Sequence, residues 1–507
     1  MYVAYRQDKV YKDIGDTPQL FIDDDIVAVV KNITRRQHWP VKHSANPLIR
    51  RDKPWEVTTY FRVSNFNVIR DPQDQIFRCW YEDFYEYFDP GLPSRERMYY
   101  AQSRDGLNWD KPILGKHVID GHDTNAIFVP EDAMVDCPSI LLDPSESNPD
   151  YRFKMTHLNL DRRDKSGAPG GLHLQYSANG IDWTPHKNNP VIPSWQGDVG
   201  ILTYDNIDRK YVLWGRLGGA AGGSAHPDMD NWFSPVWPGR PEGIWGTRRR
   251  VYRTESKDLF NWSDPELLWD PKEDFNLDDG LYGFVPWRVG DVHLGLLNVV
   301  HAVDNTMDMY LYYSRDGLQW KQFLDHRPFI SRGGQGSYDQ FGVETPVQPF
   351  VFDNEIRFYY GGMKVHHDWW ILPADQRPDV PEAHDWEMAK NGHHLCLASL
   401  RLDGYISLDA TVREGWVDTK PLFSTGKHLH INAQCGPGGY VQVEMMDHWN
   451  NVWPEYAKDK CQTFTGDSTR HHVRWSDRQT VDAIPKPLKL RFTLKNASLY
   501  SFGFADS

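Results

Sequence analysis

Acidic residues stand immediately before a series of short apolar runs: Glu56, Asp136, Asp198, Asp279 and Glu344. After the runs that follow come His157, Arg216, His301, His366 and His367, with Asp83 in the matching place of the first set. Two carboxyl groups brought together can divide acid and base work. One stays protonated and donates to a leaving oxygen, while the other stays ionised as nucleophile or as base for water. That is the chemistry of glycosidic hydrolysis. Histidines with an arginine suit another task. They bind a carboxylate or sulfate on a sugar, or remove the proton beside a uronate carboxylate with Tyr282 as acid. The bland alternative is that each acid is a turn carboxylate and each histidine a core or hydroxyl-binding group.

The elements that position these residues are set by a repeat. Ser103-x-Asp105-Gly106-x-x-Trp109 recurs as Ser177-x-Asn179-Gly180-x-x-Trp183, as Ser256-x-Asp258 ending at Trp262, and as Ser314-x-Asp316-Gly317-x-x-Trp320. A degenerate fifth copy ends at Asp403-Gly404. In each copy an alternating apolar strand ends in a tight turn, with Asp or Asn bonding the backbone and Gly supplying a positive φ. Two further strands precede each copy, as in Phe66–Ile69 and Phe77–Tyr81. Four short antiparallel strands per unit, five times over, make a β-propeller. The expected fold class is therefore all-β: a five-bladed β-propeller over residues 46–400, then a C-terminal β-sandwich over 401–507. The first 45 residues bridge the two.

Such repeats on short β units, followed by a sandwich, resemble the five-bladed propeller carbohydrate-active enzymes of glycoside hydrolase families 32 and 43 and their uncharacterised bacterial relatives. The Trp-Met-Asn-Asp-Pro-Asn-Gly signature of family 32 and its Glu-Cys pair are absent. Arg70-Asp71-Pro72 looks like that family's Arg-Asp-Pro, yet reads as a turn between two strands. The resemblance implies three acids from three blades around an axial pocket. The best match is Asp136, Asp198 and Glu344, with Glu344 as general acid, Asp136 as base or nucleophile, and Asp198 as transition-state or hydroxyl partner. The substrate would meet His157, Arg216, Tyr282, His301, His366, His367 and Trp245.

Trp245 belongs to the longest insertion, from Leu217 to Arg250, with Trp232, Trp237 and Arg248-Arg249-Arg250. It reads either as a sugar-stacking lid or as a self-packed loop. Gly218-Gly219-Ala-Ala-Gly222-Gly223 lies in the same irregular stretch and makes no phosphate loop.

Composition narrows the partners. Asp plus Glu number 70 against 56 Lys plus Arg, a net charge of −14 with no basic block, which excludes nucleic acid and anionic membranes as expected partners. No apolar run approaches a membrane-spanning length. Aromatics reach 14%, filling β cores and available for stacking on sugar rings. Five scattered cysteines without a Cys-x-x-Cys pair, and no secretory signal in the chain as given, lead to the expectation of a cytoplasmic protein. No histidines show His-x-x-x-His spacing, so no cofactor is required, with a structural Ca²⁺ on the axis left open. The expected activity is a glycosidase on a carbohydrate substrate. A lyase of uronate-containing glycans and a non-catalytic carbohydrate-binding propeller are the rivals, and a homo-oligomer is left open.

Overall fold

The computed structural model describes residues 11–84, 96–130, 135–159, 170–193, 199–216, 249–269, 275–276, 279–301, 303–367, 380–476, 478–481 and 484–506. Strands dominate them, and the α-helix they contain spans only Trp386–Lys390. No helix among them is long and apolar enough to cross a membrane.

Four-stranded antiparallel units follow one another. Unit one holds Phe66–Arg70, Phe77–Phe84, Glu96–Ser103 and Ala126–Phe128. Unit two holds Asp136–Leu142, Phe153–Asn159, Gly171–Ser177 and Thr184–Pro185. Unit three holds Gly200–Asp205, Lys210–Gly215, Val251–Ser256 and Glu266–Trp269. Unit four holds Asp279–Val289, Val292–His301, Thr306–Ser314 and Lys321–Gln322. Unit five is built on Glu355–Met363 and His393–Arg401. Its first strand is broken into Gly342–Glu344 and Phe350–Phe352, and its last is Val41–Lys42 from the N-terminal segment. A parallel bridge from Met307 to Gly342 joins units four and five into one larger sheet.

Each unit is apolar on both faces because it is packed between two others. In unit one Phe77, Cys79 and Tyr81 share a core with Tyr359 and Leu397 of unit five. The alternate residue Trp80 packs with Ile140, Phe153 and Met155 of unit two. This is the period-two alternation of a strand, with both faces buried.

Contacts run from unit to unit and return to the first. Ile140 N donates to Asn67 Oδ1 at 3.0 Å, Leu202 N to Ser139 Oγ at 2.8 Å, and Thr345 N to Asn298 Oδ1 at 2.9 Å. Between units three and four Val199 packs on Gly283. Between units five and one Arg357 Nη1 donates to Asp105 O and Tyr359 Oη to Gly106 O, both at 2.7 Å.

Those last two bonds show what the repeated turn does. Asp258 Oδ1 accepts from Phe260 N and Asn261 N. Burial works against the charge, but these bonds hold the carboxyl down, to about 2. The turn then docks on the preceding unit. Gly180, at φ +77°, sits so close to Trp80 that a Cβ would lie 2.6 Å from the indole, and Trp80 Nε1 donates to Gly180 O. Arg70-Asp71-Pro72 is also a turn: Asp71 accepts from Gln73 N and from Arg152 Nη2.

Five C-terminal strands belong to an eight-stranded sheet. Two long bulged strands, His428–Met446 and Lys489–Ala505, pair along their length, flanked by Ile406–Ala410, Gly415–Thr419 and Asp467–His472. The N-terminal segment adds Gln19–Leu20, Val27–Lys31 and Thr34–Gln37 to this sheet before its Val41–Lys42 joins unit five. One contiguous core holds Phe492, Phe502 and Trp475 of this sheet together with Leu294 of unit four and Phe358 of unit five. All five cysteines are free thiols.

Candidate active site

The loop leading into unit one carries the site. It bends at Thr59, whose φ is +38°, and runs against the inner strand ends of other units. A Cβ on Gly361 would lie 2.1 Å from Phe61 O, so only glycine admits the loop there. Val63 packs on Gly283 of unit four and shares a core with Val199 and Leu281. Asp83 fixes the start of the loop by accepting from Val57 N at 2.8 Å and Thr58 N at 2.6 Å. Burial of Asp83 outweighs those bonds and pushes its carboxyl up to about 6.

From this loop Arg62 reaches unit five. Its Nε donates to Glu344 Oε1 at 2.6 Å, and its Nη1 to Tyr60 Oη at 2.8 Å and to His367 O at 3.0 Å. The His367 ring stands edge-on to Tyr282, 5.0 Å between centroids. The guanidiniums of Arg216 and Arg249 lie 4.6 and 4.5 Å from the centre of the Tyr282 ring. Glu344, His367, Tyr282 and Arg216 are thus linked by contacts into one set.

A second set hangs on Asn65, three residues further on. Its amide donates to Glu82, whose Oε1 also accepts from Cys137 N at 3.0 Å. The Cys137 thiol donates to Asp136 Oδ1 at 3.1 Å. Glu82 is fully buried, and burial together with the charge of Asp136 pushes its carboxyl well above the usual range, against the bonds from Asn65 and Cys137. Cys137 has φ +54° although it is not glycine and precedes Pro138, a combination that stores backbone strain beside the carboxyl pair.

His301 belongs to a third set. Its Nδ1 lies 2.6 Å from Asp279 Oδ1 and its Nε2 3.2 Å from Asp308 Oδ2, and Arg332 Nε bonds the same Asp308 at 3.1 Å. Burial opposes the charge, but the two carboxylate bonds prevail and raise the imidazole to about 9. His366 bonds Glu382 Oε1 through Nδ1 at 2.6 Å. His157 lies opposite His173 within unit two, with Gln175 Nε2 3.0 Å from its Nε2. These two histidines are held by partners of their own. Asp198 and Trp245, with Trp232, Trp237 and Arg248, lie outside the described residues.

Two of the acids read as pocket residues do other work. Glu56 is a buried knot in the lead-in to unit one, accepting from Tyr81 Oη at 2.7 Å and Lys111 Nζ at 2.6 Å. Asp83 anchors backbone. Sequence reasoning passed over Glu82 and Arg62. Glu82 had a signal: consecutive strand residues face opposite ways, so Asp83 on the backbone side puts Glu82 on the other. Arg62 lies in an irregular loop where no periodicity points to it. A cavity of about 670 Å³, lined by Tyr204, Trp287, His293, Arg315 and Tyr405, contains none of the expected site residues.

No family model matches the chain, and no curated protein matches it. Solved structures do. A family 43 arabinoxylan arabinofuranohydrolase from Bacillus subtilis is similar at a TM-score of 0.40 and 12% identity, over 92% of this chain and 99% of its own. A Bombyx mori family 32 β-fructofuranosidase is similar at 0.39 and 12%, over 93% and 95%. A thermostable family 43 glycoside hydrolase is similar at 0.44 and 11%, over 70% and 94%.

Proposed function

We propose that the five units are the blades of a β-propeller, that the C-terminal strands fold as a β-sandwich, and that the chain is a glycoside hydrolase acting on an oligosaccharide or a polysaccharide end. The observation that carries this reading is the state of Glu82. It is a carboxyl pushed up by burial and by its neighbour Asp136, and the loop that bonds it through Asn65 also bonds, through Arg62, a second carboxylate of unlike surroundings, Glu344. Hydrolysis of a glycosidic bond needs such an unlike pair.

In this reading Glu82 and Asp136 share a proton and supply it to the leaving oxygen. Glu344, held by the Arg62 guanidinium, is the second carboxylate of the pair. The acid role expected for Glu344 therefore passes to Glu82. Asp198 remains a proposed partner to the sugar hydroxyls, and Arg216, Tyr282 and His367 a wall of the pocket.

The lyase reading has one observation in its favour: two guanidiniums against the Tyr282 ring suit a sugar that carries a carboxylate. His301 is poorly suited to be its base, because the bonds to Asp279 and Asp308 raise the imidazole to about 9.

The test is a panel of aryl glycosides of pentoses and hexoses in both anomeric forms, with the released sugar followed by NMR. Release of a reducing sugar supports hydrolysis. Products absorbing as unsaturated uronates from uronate-containing glycans would replace it with the lyase. Binding without turnover would leave the binding propeller.

A further inference from the structure

The C-terminal sheet gathers histidines that the proposed chemistry does not use. His428 and His430 stand two apart at the start of the strand His428–Met446 and so share a face. His472 ends the strand Asp467–His472 directly opposite His430. The segment beyond brings up the carbonyl of Gln479. Its neighbours are fixed: Tyr456 Oη donates to Thr480 O at 2.9 Å, and Val481 N to Lys427 O at 2.8 Å.

Three donor atoms converge there. His428 Nδ1 is 3.1 Å from His472 Nε2 and 3.0 Å from Gln479 O, and His472 Nε2 is 2.9 Å from the same oxygen. Hydrogen bonds fill such a triangle poorly. One ring proton serves one edge well, and protons on both nitrogens crowd each other at the shared carbonyl. A cation satisfies all three atoms together. At a Zn–N distance of about 2.0–2.1 Å it sits just off the plane of donors spaced this way. His430 stands beside them, its ring 5.3 Å from that of His472, and both its nitrogens are buried without a hydrogen-bond partner.

Neutral imidazole is the form that binds metal. Imidazole nitrogens favour zinc, nickel and copper over calcium or magnesium. Among the described residues no three histidine, cysteine or carboxylate side chains converge at metal-ligand spacing, so the third donor is the main-chain oxygen.

We propose that His428 Nδ1, His472 Nε2 and the Gln479 carbonyl form a site for a divalent ion of the zinc class, with water in the remaining positions. The ion would tie the Asp467–His472 strand and the segment at 479 to the long strand of the sheet. The site shares no residue with the acid sets and stands whether or not the chain is a hydrolase.

The test is a calorimetric titration of the full chain with zinc sulfate. One equivalent is expected to bind, with a melting temperature that rises with zinc concentration as it does for any ligand of the folded state. His472→Ala and His428→Gln should each weaken binding by about tenfold or more, while His448→Ala and Cys435→Ser leave it unchanged. Cobalt titrated into the parent protein gives a readout that needs no variant. Visible bands of nitrogen and oxygen ligation, without a thiolate charge-transfer band, are expected. Absence of binding, a thiolate band, or equal affinity in the two histidine variants and the parent would overturn the proposal.

Discussion

Arg62 and Glu344 come from loop and sheet positions 282 residues apart and meet at 2.6 Å, with side chains 3% and 0% exposed. The pair ties the lead-in loop of unit one to the broken first strand of unit five. Removing one partner of a buried ion pair leaves an uncompensated charge, so Arg62→Leu should cost about 3–5 kcal/mol. The double variant Arg62→Leu with Glu344→Leu should recover most of that. Urea unfolding of the three proteins checks it, and a single variant as stable as the parent would refute the account of the pair.

His301 predicts a pH effect of definite sign. Its folded value of about 9 lies above the ordinary 6.5, because Asp279 and Asp308 favour the cation. The stabilisation is therefore complete below pH 6.5 and is lost as the pH rises through 9. Melting temperatures measured between pH 6 and pH 10 should fall for the parent and fall less for His301→Gln. Parallel curves would show that the two carboxylate bonds do not hold in solution.

The turn glycines separate backbone strain from crowding. Gly115, at φ +67°, has open space where a Cβ would go. Gly106, at φ +73°, would place one 2.2 Å from Tyr359 Oη. Gly115→Ala should cost about 1–2 kcal/mol from left-handed strain alone. Gly106→Ala carries that strain plus about 1–3 kcal/mol from displacing the unit-five contact. Equal losses in the two variants would mean that the turn does not brace unit five.

The elements were legible where periodicity and turn chemistry act locally. The Ser-x-Asp-Gly turns and the strands they end, such as Glu96–Ser103 and Thr306–Ser314, follow from short-range rules. Asp136 and Glu344 were legible as acids standing beside apolar runs. Their partners were not, because Arg62 and Asn65 lie in an irregular loop whose path is set by distant glycines such as Gly361. The difference between Glu82 and Asp83 turns on strand facing, which a run read without its register leaves open. The break in the first strand of unit five holds Pro346 and Pro349, which cannot donate to a ladder, and Thr345, whose hydroxyl donates to Tyr359 O and accepts from Val347 N.

The central claim is that Glu82 is the protonated member of an acid pair with Asp136. The measurement that tests it most directly is the turnover of Glu82→Gln on an aryl glycoside that the parent cleaves, with melting temperature measured alongside. The account predicts a folded protein, since glutamine keeps the size and an acceptor for Cys137 N, with kcat lowered by about 10²–10⁴. A folded Glu82→Gln variant with the parent's kcat would contradict it.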